Sequence, residues 1–226
     1  MSNELLKNNK IEIIPAIIPK DFEDLKEKIS LVKGLTYFIQ IDIMDGIFVP
    51  EKSWPFNDPM WSLGVHLEPP FSCDCNFEFD LMVANPEYNI QEFLDIGARR
   101  IIVHVGSTNK LEEIFSNLKG KVEIGLAFGI NTNIDEYSEF IKEADFVQFM
   151  GIEKIGFQGQ KFNEEVIDKI IGFRTKYKDV IISVDGGVNL ENAHKLISAG
   201  ANRLVSGSAV FESDNIEDII ERFKDL

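Results

Sequence analysis

Three aspartates lie at or near the ends of separate apolar segments, where a carboxylate could move a proton or bind a metal ion. The clearest case is Asp42, in a run where apolar and polar residues alternate. Successive side chains of a strand point to opposite faces, so Gln40, Asp42 and Met44 share one face and the intervening isoleucines share the other. Asp80 and Asp185 stand in comparable segments. A polar strand face open to water is the alternative interpretation.

We favour a functional cluster of these aspartates over isolated turn residues. One aspartate at a strand end is usually a helix cap or a turn former. Three that point into one barrel mouth are harder to explain in that way, and methionines accompany them. The cluster is predicted to comprise Asp42, Asp80 and Asp185, with Met44, Met82 and Met150 as hydrophobic lining.

Three loops that contain glycine follow the later strands and could hold a phosphate group through backbone N–H donors. Glycine in a loop often serves turn geometry alone. Loops after the last two strands of a (β/α)8 barrel are, however, the usual position of a phosphate group. The predicted phosphate-binding residues are Gly156, Phe157, Gln158, Gly159, Gly186, Gly187, Gly207 and Ser208.

His104 lies in an apolar segment and points inward by the same alternation. A buried histidine with satisfied hydrogen bonds is the favoured interpretation. Direct contact with a ligand is the alternative.

Eight short segments rich in β-branched residues alternate with helical segments and must position these side chains. The predicted strands are Ile11–Ile18, Tyr37–Met44, Cys75–Val83, Arg100–Val105, Val122–Phe128, Phe146–Met150, Val180–Val184 and Arg203–Val205. The predicted helices are Asp21–Lys33, Ile90–Ile96, Lys110–Leu118, Ile134–Glu143, Asn163–Tyr177, Leu190–Ala199 and Asn215–Phe223. The segment Glu51–Ser72 contains four prolines, so any helix there should be short or irregular.

Strict alternation of strand and helix implies parallel strands with right-handed crossovers, and eight such units close into a (β/α)8 TIM barrel. A doubly wound open sheet is the rival α/β fold. It should carry a Gly-x-Gly-x-x-Gly turn after its first strand, whereas the first segment here continues as Pro15–Pro19. We predict a single (β/α)8 barrel domain over residues 1–226.

Composition limits the partners of the chain. Its 226 residues include 38 Asp and Glu against 23 Lys and Arg, a net charge of −15, which repels nucleic acid and anionic lipid. No apolar run approaches the ~18 residues that span a membrane, and the N-terminal residues lack a signal-peptide pattern. We expect a cytoplasmic protein in which Cys73 and Cys75 are free thiols.

The segments together resemble the ribulose-phosphate 3-epimerase family of carbohydrate metabolism, from Ile14 to Phe211. The matching motifs are Ile41–Pro50, Asp80–Pro86, Gly156–Phe162, Val184–Val188 and Val205–Phe211. Several specific motifs in the family's order identify the chain as a member.

The resemblance implies a carbohydrate-phosphate epimerase that uses the pair Asp42 and Asp185 on opposite faces of its substrate. One aspartate removes the proton beside the ketone and the other returns a proton, while a divalent metal stabilises the enediolate. The family's metal ligands are these two aspartates and two histidines, which align with Gln40 and Asp80.

Other departures from the family pattern surround the substrate. A family serine aligns with Ala16 and a family glycine with Gln158, and the loop before Gly156 has one additional residue. These differences leave open whether turnover survives.

Loss of both histidines changes the expected metal. Gln40, Asp42, Asp80 and Asp185 offer oxygen ligands alone, which favours manganese or magnesium over zinc. The protein is therefore expected to bind a divalent cation of this kind or no metal. Without a metal, three crowded carboxylates cannot all stay ionised at low cost, and Asp80 is the expected site of the shared proton.

Three functions remain open at this point. The first is epimerisation of a ketose phosphate such as ribulose 5-phosphate, a pentose phosphate. The second is an aldol-type cleavage or decarboxylation, which ranks lower because no lysine stands beside the acidic cluster. The third is a sugar-phosphate-binding barrel without turnover. The resemblance also allows a homo-oligomer.

Overall fold

Eight parallel strands form the centre of the structure, a computed structural model that describes residues 11–62, 75–157 and 159–226. Each strand pairs with the next in chain order, and β8 pairs with β1, which closes the barrel. The strands are β1 (Glu12–Ile17), β2 (Phe38–Met44), β3 (Asn76–Met82), β4 (Arg100–His104), β5 (Glu123–Phe128), β6 (Phe146–Met150), β7 (Ile181–Asp185) and β8 (Arg203–Ser206). The prediction of a (β/α)8 barrel is confirmed, and the open sheet is excluded.

Helices connect successive strands. The α-helices are α1 (Phe22–Val32), α2 (Pro59–Ser62), α3 (Ile90–Asp95), α4 (Leu111–Leu118), α5 (Ser138–Glu143), α6 (Glu165–Lys176), α7 (Leu190–Ala199), α8 (Ser208–Phe211) and α9 (Ile216–Lys224). Side chains of Asp21, Asn189 and Asn215 accept hydrogen bonds from backbone N–H groups at the starts of α1, α7 and α9. These caps satisfy donors that a helix leaves free. Among the described helices, none is long and apolar enough to cross a membrane.

The main hydrophobic core lies outside the barrel, between the strands and the helices. It contains Ile39, Ile41 and Ile43, which alternate along β2 with the side chains that point inward. Two smaller apolar clusters fill the interior of the barrel: Ile14, Ala16, Phe38 and Val205, and Ile102, Ala127, Phe146 and Ile181. The interior is therefore packed, and polar groups inside it need hydrogen-bond partners.

A buried ion network lies at the end of the barrel where the strands begin. Arg100 donates to Glu78 (2.9 Å), Glu123 (3.0 Å) and Glu12 (3.2 Å). Arg203 Nε lies 2.9 Å from Glu12 Oε2 but outside hydrogen-bond geometry. Glu78 is on the same face of β3 as Asp80, and its ion pair with Arg100 lies within this network.

Most element boundaries agree with those expected from the sequence. Each predicted strand matches the observed strand to within one residue at either end. The single helix predicted over Ile134–Glu143 is wrong in part, because the segment begins as a 3-10 helix over Ile134–Tyr137 and becomes α5 at Ser138. Asn133 accepts a hydrogen bond from the N–H of Asp135 and so shapes this first turn.

The predictions for the proline-rich segment and for the two cysteines concern residues in or next to positions 63–74, which the structure does not describe. The proline-rich segment contains a helix of four residues, α2, as expected, and residues 63–72 lie outside the description. The prediction of a free thiol is wrong for Cys75, which is disulfide-bonded, and Cys73 lies outside the described residues. The prediction relied on the expected compartment, whereas local sulfur geometry decides whether a bond can form.

Candidate active site

Asp42 and Asp185 come together at the end of the barrel where the strands finish. Gln40, the inward residue before Asp42 on β2, joins them: its Nε2 donates to Asp42 Oδ1 (2.8 Å) and to Asp185 Oδ2 (2.9 Å). Gln40 is fully buried, and Asp42 and Asp185 are 5% and 7% exposed. The structure thus brings the predicted acid–base pair together and holds both carboxylates with one amide.

Asp80 belongs to a second hydrogen-bonded group inside the barrel. Its Oδ1 lies 2.9 Å from His104 Nε2, and its Oδ2 accepts from Gln148 Nε2 at 3.0 Å. The hydroxyl of Ser183 donates to Gln148 Oε1 at 3.1 Å. His104 is buried and paired through Nε2. Its Nδ1 has no partner among the described residues, so the favoured interpretation of a satisfied histidine holds only in part.

Burial and mutual repulsion raise the pKa values of the two cavity carboxylates. Burial raises the pKa of Asp42 well above its usual range, and Asp185 and Asp80 raise it further. Burial, followed by Asp80, raises the pKa of Asp185 to about 7, against the hydrogen bond from Gln40. The raised pKa values favour a shared proton on Asp42 or Asp185, and the expectation of a proton on Asp80 stays a prediction.

The three carboxylates form a group that could hold a metal ion. One oxygen from each of Asp42, Asp80 and Asp185 lies within 4.8 Å of the others. Gln40 could add a fourth oxygen, since its Oε1 is buried and has no partner among the described residues. As it stands, Gln40 turns Nε2 toward the carboxylates, so its amide must turn over to become a ligand. An all-oxygen set fits a hard cation such as Mg²⁺ or Mn²⁺.

Two side chains outside the cluster fix the end of β2. The hydroxyl of Ser53 donates to the carbonyl of Asp42 (2.8 Å) and accepts from the N–H of Met44 (2.9 Å). Asp45 accepts from the N–H groups of Ile47, Phe48 and Ala84, which ties the loop after β2 to the loop after β3. These hydrogen bonds hold the backbone at the end of β2 in place, and with it the position of Asp42.

Apolar side chains nearly fill the mouth of the barrel. Met44, Val49 and Met82 form a buried cluster there. A Cβ atom at Gly156 would lie 2.9 Å from Val49 and 3.2 Å from Met44 Sδ, so the loop after β6 lies directly against this cluster. The cavity beside the two aspartates measures about 50 Å³, below the roughly 300 Å³ at which ligand pockets begin. This cluster and the loop after β6 therefore leave little free space beside the two aspartates.

Most residues predicted to bind phosphate or line the site share one cavity. Its described lining is Ala16, Ile18, Asp42, Met82, Met150, Ile152, Gly156, Phe157, Gly159, Asp185, Gly207 and Ser208. Gly187 lines an adjoining groove of about 490 Å³ that shares Gly159 and Ser208 with the cavity. Gly186 joins Asp185 to Gly187 along the chain, and Gln158 lies outside the described residues. Among the described lining residues of both spaces, none carries a positive charge.

The sequence did not single out every residue that contributes. Gln148, Ser183 and Ser53 make buried hydrogen bonds within the site, and Ile18 and Ile152 line its cavity. Alternation along β6 and β7 could have revealed two of them, because Gln148 shares a face with Met150 and Ser183 shares one with Asp185.

A closed barrel with buried carboxylates at the ends of its parallel strands defines a protein of the TIM-barrel class, in which this end carries the active site. Residues 12–211 match the family model described as the Ribulose-phosphate 3 epimerase family. The chain belongs to the ribulose-phosphate 3-epimerase family.

Several relatives are similar over almost their whole length. A ribulose-phosphate 3-epimerase of Bacillus subtilis (strain 168) is 35% identical over 219 residues, which cover 93% of this chain and 97% of the relative. One of Schizosaccharomyces pombe is 31% identical over 212 residues, covering 92% and 90%. The 3-hexulose-6-phosphate synthase of Salmonella typhimurium has a similar structure, with a TM-score of 0.68, 14% identity, and coverage of 95% and 97%. That likeness concerns the fold alone.

Proposed function

We propose that the protein is a ribulose-phosphate 3-epimerase-like isomerase, which inverts the carbon next to the ketone of a ketose phosphate. One observation carries the proposal: Asp42 and Asp185 share the amide of Gln40 and line a single cavity with Gly156 and Ser208. Membership of the family supports the same reaction. Ribulose 5-phosphate is the first substrate to test.

The reaction requires one carboxylate and one carboxylic acid at the same moment. The ionised member of the pair Asp42 and Asp185 removes the proton at C3, and the electron pair moves into the C2–C3 bond to form an enediolate. The protonated member then returns a proton to the opposite face of C3. The raised pKa of Asp185, about 7, supports this assignment because it lets one member stay protonated near neutral pH.

The remaining polar residues would position these groups. Asp42, Asp80 and Asp185 would hold a divalent cation, with Mn²⁺ or Mg²⁺ favoured over Zn²⁺, and Gln40 would join them through Oε1 once its amide turned over. A bound cation would supply positive charge beside the developing enediolate oxygens. Metal analysis of protein purified without chelator tests the assignment, and stoichiometric zinc would contradict it.

The phosphate group of the substrate would lie among the loops after β6, β7 and β8. Gly156, Gly159, Gly187 and Gly207 offer a surface free of bulky side chains, and Ser208 adds a hydroxyl donor. Because none of the described lining residues is cationic, backbone N–H groups must supply most of the hydrogen bonds to phosphate.

A barrel that binds a sugar phosphate without turnover is the second candidate. The small cavity favours it, because about 50 Å³ beside the two aspartates is less space than ligand pockets offer. An aldol-type lyase or decarboxylase is less favoured, because the described lining of the cavity offers no lysine.

Incubation with ribulose 5-phosphate in deuterated water separates these functions. Deuterium at C3 supports epimerisation, products of C–C cleavage support a lyase, and binding without exchange supports a non-catalytic barrel. The variants Asp42→Asn and Asp185→Asn should each slow exchange by roughly 10²- to 10⁴-fold. Asp135→Asn is the matched control, since the Asp135 side chain is 75% exposed and should not affect exchange. Full exchange in either test variant would contradict the proposed pair.

The expectations of a cytoplasmic location, of a homo-oligomer and of no nucleic-acid partner stay predictions. Size-exclusion chromatography with light scattering would test the oligomeric state.

A further inference from the structure

An amide nitrogen lies between two carboxylates, where a cation would otherwise balance their charge. Gln40 Nε2 is 2.8 Å from Asp42 Oδ1 and 2.9 Å from Asp185 Oδ2. The two hydrogens of an amide NH2 group point in different directions, so one group can donate to two acceptors. Both acceptors belong to buried side chains, where repulsion between carboxylates is screened poorly.

The other end of the Gln40 amide makes no comparable bond. Gln40 Oε1 is buried and has no partner among the described residues. Gln148 differs in this respect, because its Oε1 accepts from Ser183 while its Nε2 donates to Asp80. Gln148 is therefore fixed at both ends, whereas the two carboxylates alone fix the orientation of Gln40.

We propose that Gln40 is a positioning residue whose carboxamide takes the place of a cation between Asp42 and Asp185 in the metal-free protein. The inference rests on the proposed function, since it explains how the acid–base pair stays assembled before a metal binds. A divalent cation that entered the cluster would remove the need for the two N–H donors. The amide could then turn over, because no hydrogen bond to Oε1 opposes the rotation.

A double-mutant cycle on the full-length, chelator-treated protein tests the positioning role. Gln40→Met removes the donors at nearly constant side-chain length and should lower the melting temperature by roughly 3–10 °C. In an Asp185→Asn background the same change should cost less than half as much, because the amide then has only one carboxyl group, that of Asp42, to hold in place. Strictly additive losses would overturn the positioning role.

Gln148→Met is the matched control for this cycle. Gln148 is as fully buried as Gln40 but donates to Asp80, not to Asp185. Its loss should therefore add to that of Asp185→Asn without coupling. Coupling as large as that of Gln40 would show a general effect of buried amides and would overturn the inference.

Addition of Mn²⁺ tests the equivalence of amide and cation. Mn²⁺ should raise the melting temperature of the Gln40→Met protein more than that of the wild type or of Gln148→Met. The three aspartates still offer their oxygens to the cation, which restores the missing positive partner, whereas in the wild type it must first displace the two N–H donors of Gln40. An equal shift in all three proteins would overturn the equivalence. Neither measurement uses turnover, so a protein that fails to epimerise can still support or refute the role of Gln40.

Discussion

The carboxylates of the site differ in how their oxygens are used. Both oxygens of Asp80 are engaged inside the barrel: Oδ2 accepts a hydrogen bond from Gln148, and Oδ1 lies within hydrogen-bond distance of His104 Nε2. Asp42 and Asp185 share one donor and line the cavity. At the scale of single residues, Asp42 and Asp185 are therefore placed to exchange protons with a ligand. The negative charge of Asp80 raises the pKa values of both.

The metal-free protein should lose stability as the pH rises from about 4 to about 7. Burial raises the pKa of Asp185 to about 7 from its ordinary value of 3.8. Between these values the folded protein keeps a proton that the unfolded chain has released, so the free energy of unfolding falls as the pH rises. Thermal melts of chelator-treated protein at pH 4 to 8 measure the fall.

Asp185→Asn provides the control for this pH dependence. Asparagine does not titrate, so the variant should lose part of the fall between pH 4 and 7. Asp42 and Glu78 also have raised pKa values, so the rest of the fall should remain in the variant. Identical pH profiles for variant and wild type would contradict a raised pKa at Asp185.

At the scale of strands, alternation of side chains explains why much of the site could be predicted. It placed Gln40, Asp42, Asp80 and Asp185 inside the barrel, and all four are buried there. Alternation could not predict which of these side chains would form hydrogen bonds with one another, because those bonds depend on the register between strands. The parallel pairing of β2 and β3 sets Asp42 opposite Asp80, yet Gln40 reaches across to Asp185 on β7.

Loops were harder to predict than strands. The sequence indicated glycine loops after β6, β7 and β8, and five of their predicted residues line the cavity beside Asp42 and Asp185: Gly156, Phe157, Gly159, Gly207 and Ser208. It did not indicate that the loop after β6 would pack on Val49 and Met44 and reduce that cavity. Such contacts arise from the packing of distant residues, which alternation within one segment does not encode.

Gly186→Ala should distort the loop after β7. Gly186 has φ +97°, and an added Cβ would lie 2.8 Å from Ile152 Cγ1. The change should destabilise the protein by roughly 1–3 kcal/mol. It should also raise the KM for a sugar phosphate, because Gly187 follows directly and lines the groove next to the cavity. Thermal melts and steady-state kinetics measure the two effects.

Gly172→Ala is the matched control for Gly186→Ala. Gly172 lies in α6, and an added Cβ there would meet no atom within 4 Å. Alanine in a helix should stabilise the protein by about 0.5–1 kcal/mol and leave KM unchanged. Equal effects of the two substitutions would show that the loop conformation does not matter.

At the scale of the whole molecule, the two ends of the barrel have separate tasks. The ion network of Arg100 lies where the strands begin, and the aspartate cluster lies where they end. Arg100→Met should cost roughly 3–5 kcal/mol, because Glu78 would be left buried without its ion-pair partner. Unfolding in urea measures the cost, and the activity per folded molecule should not change.

An exposed ion pair is the control for Arg100→Met. Lys119 and Glu143 are 76% and 53% exposed at the side chain and lie 3.3 Å apart. Lys119→Met should change stability by less than about 1 kcal/mol, since water already screens this pair. A loss of activity in Arg100→Met without loss of stability would link the two ends of the barrel and contradict their separation.

The net charge of −15 should slow the approach of an anionic substrate. Among the described lining residues, no cationic side chain offsets this repulsion. For a sugar phosphate, kcat/KM should rise as the salt concentration increases from about 10 mM to about 150 mM, since the Debye length falls over this range. Initial rates at both salt concentrations measure the effect, and a fall in kcat/KM would indicate a cationic residue that contacts the phosphate.

The two bonds that hold Asp80 also constrain how the site can evolve. The resemblance implies a family histidine at the position of Asp80, and a neutral imidazole offers a single acceptor nitrogen. A histidine restored by one mutation could not accept from both Gln148 and His104, so one buried donor would lose its partner. We therefore expect the effect of a histidine at position 80 to depend on which residues occupy positions 104 and 148.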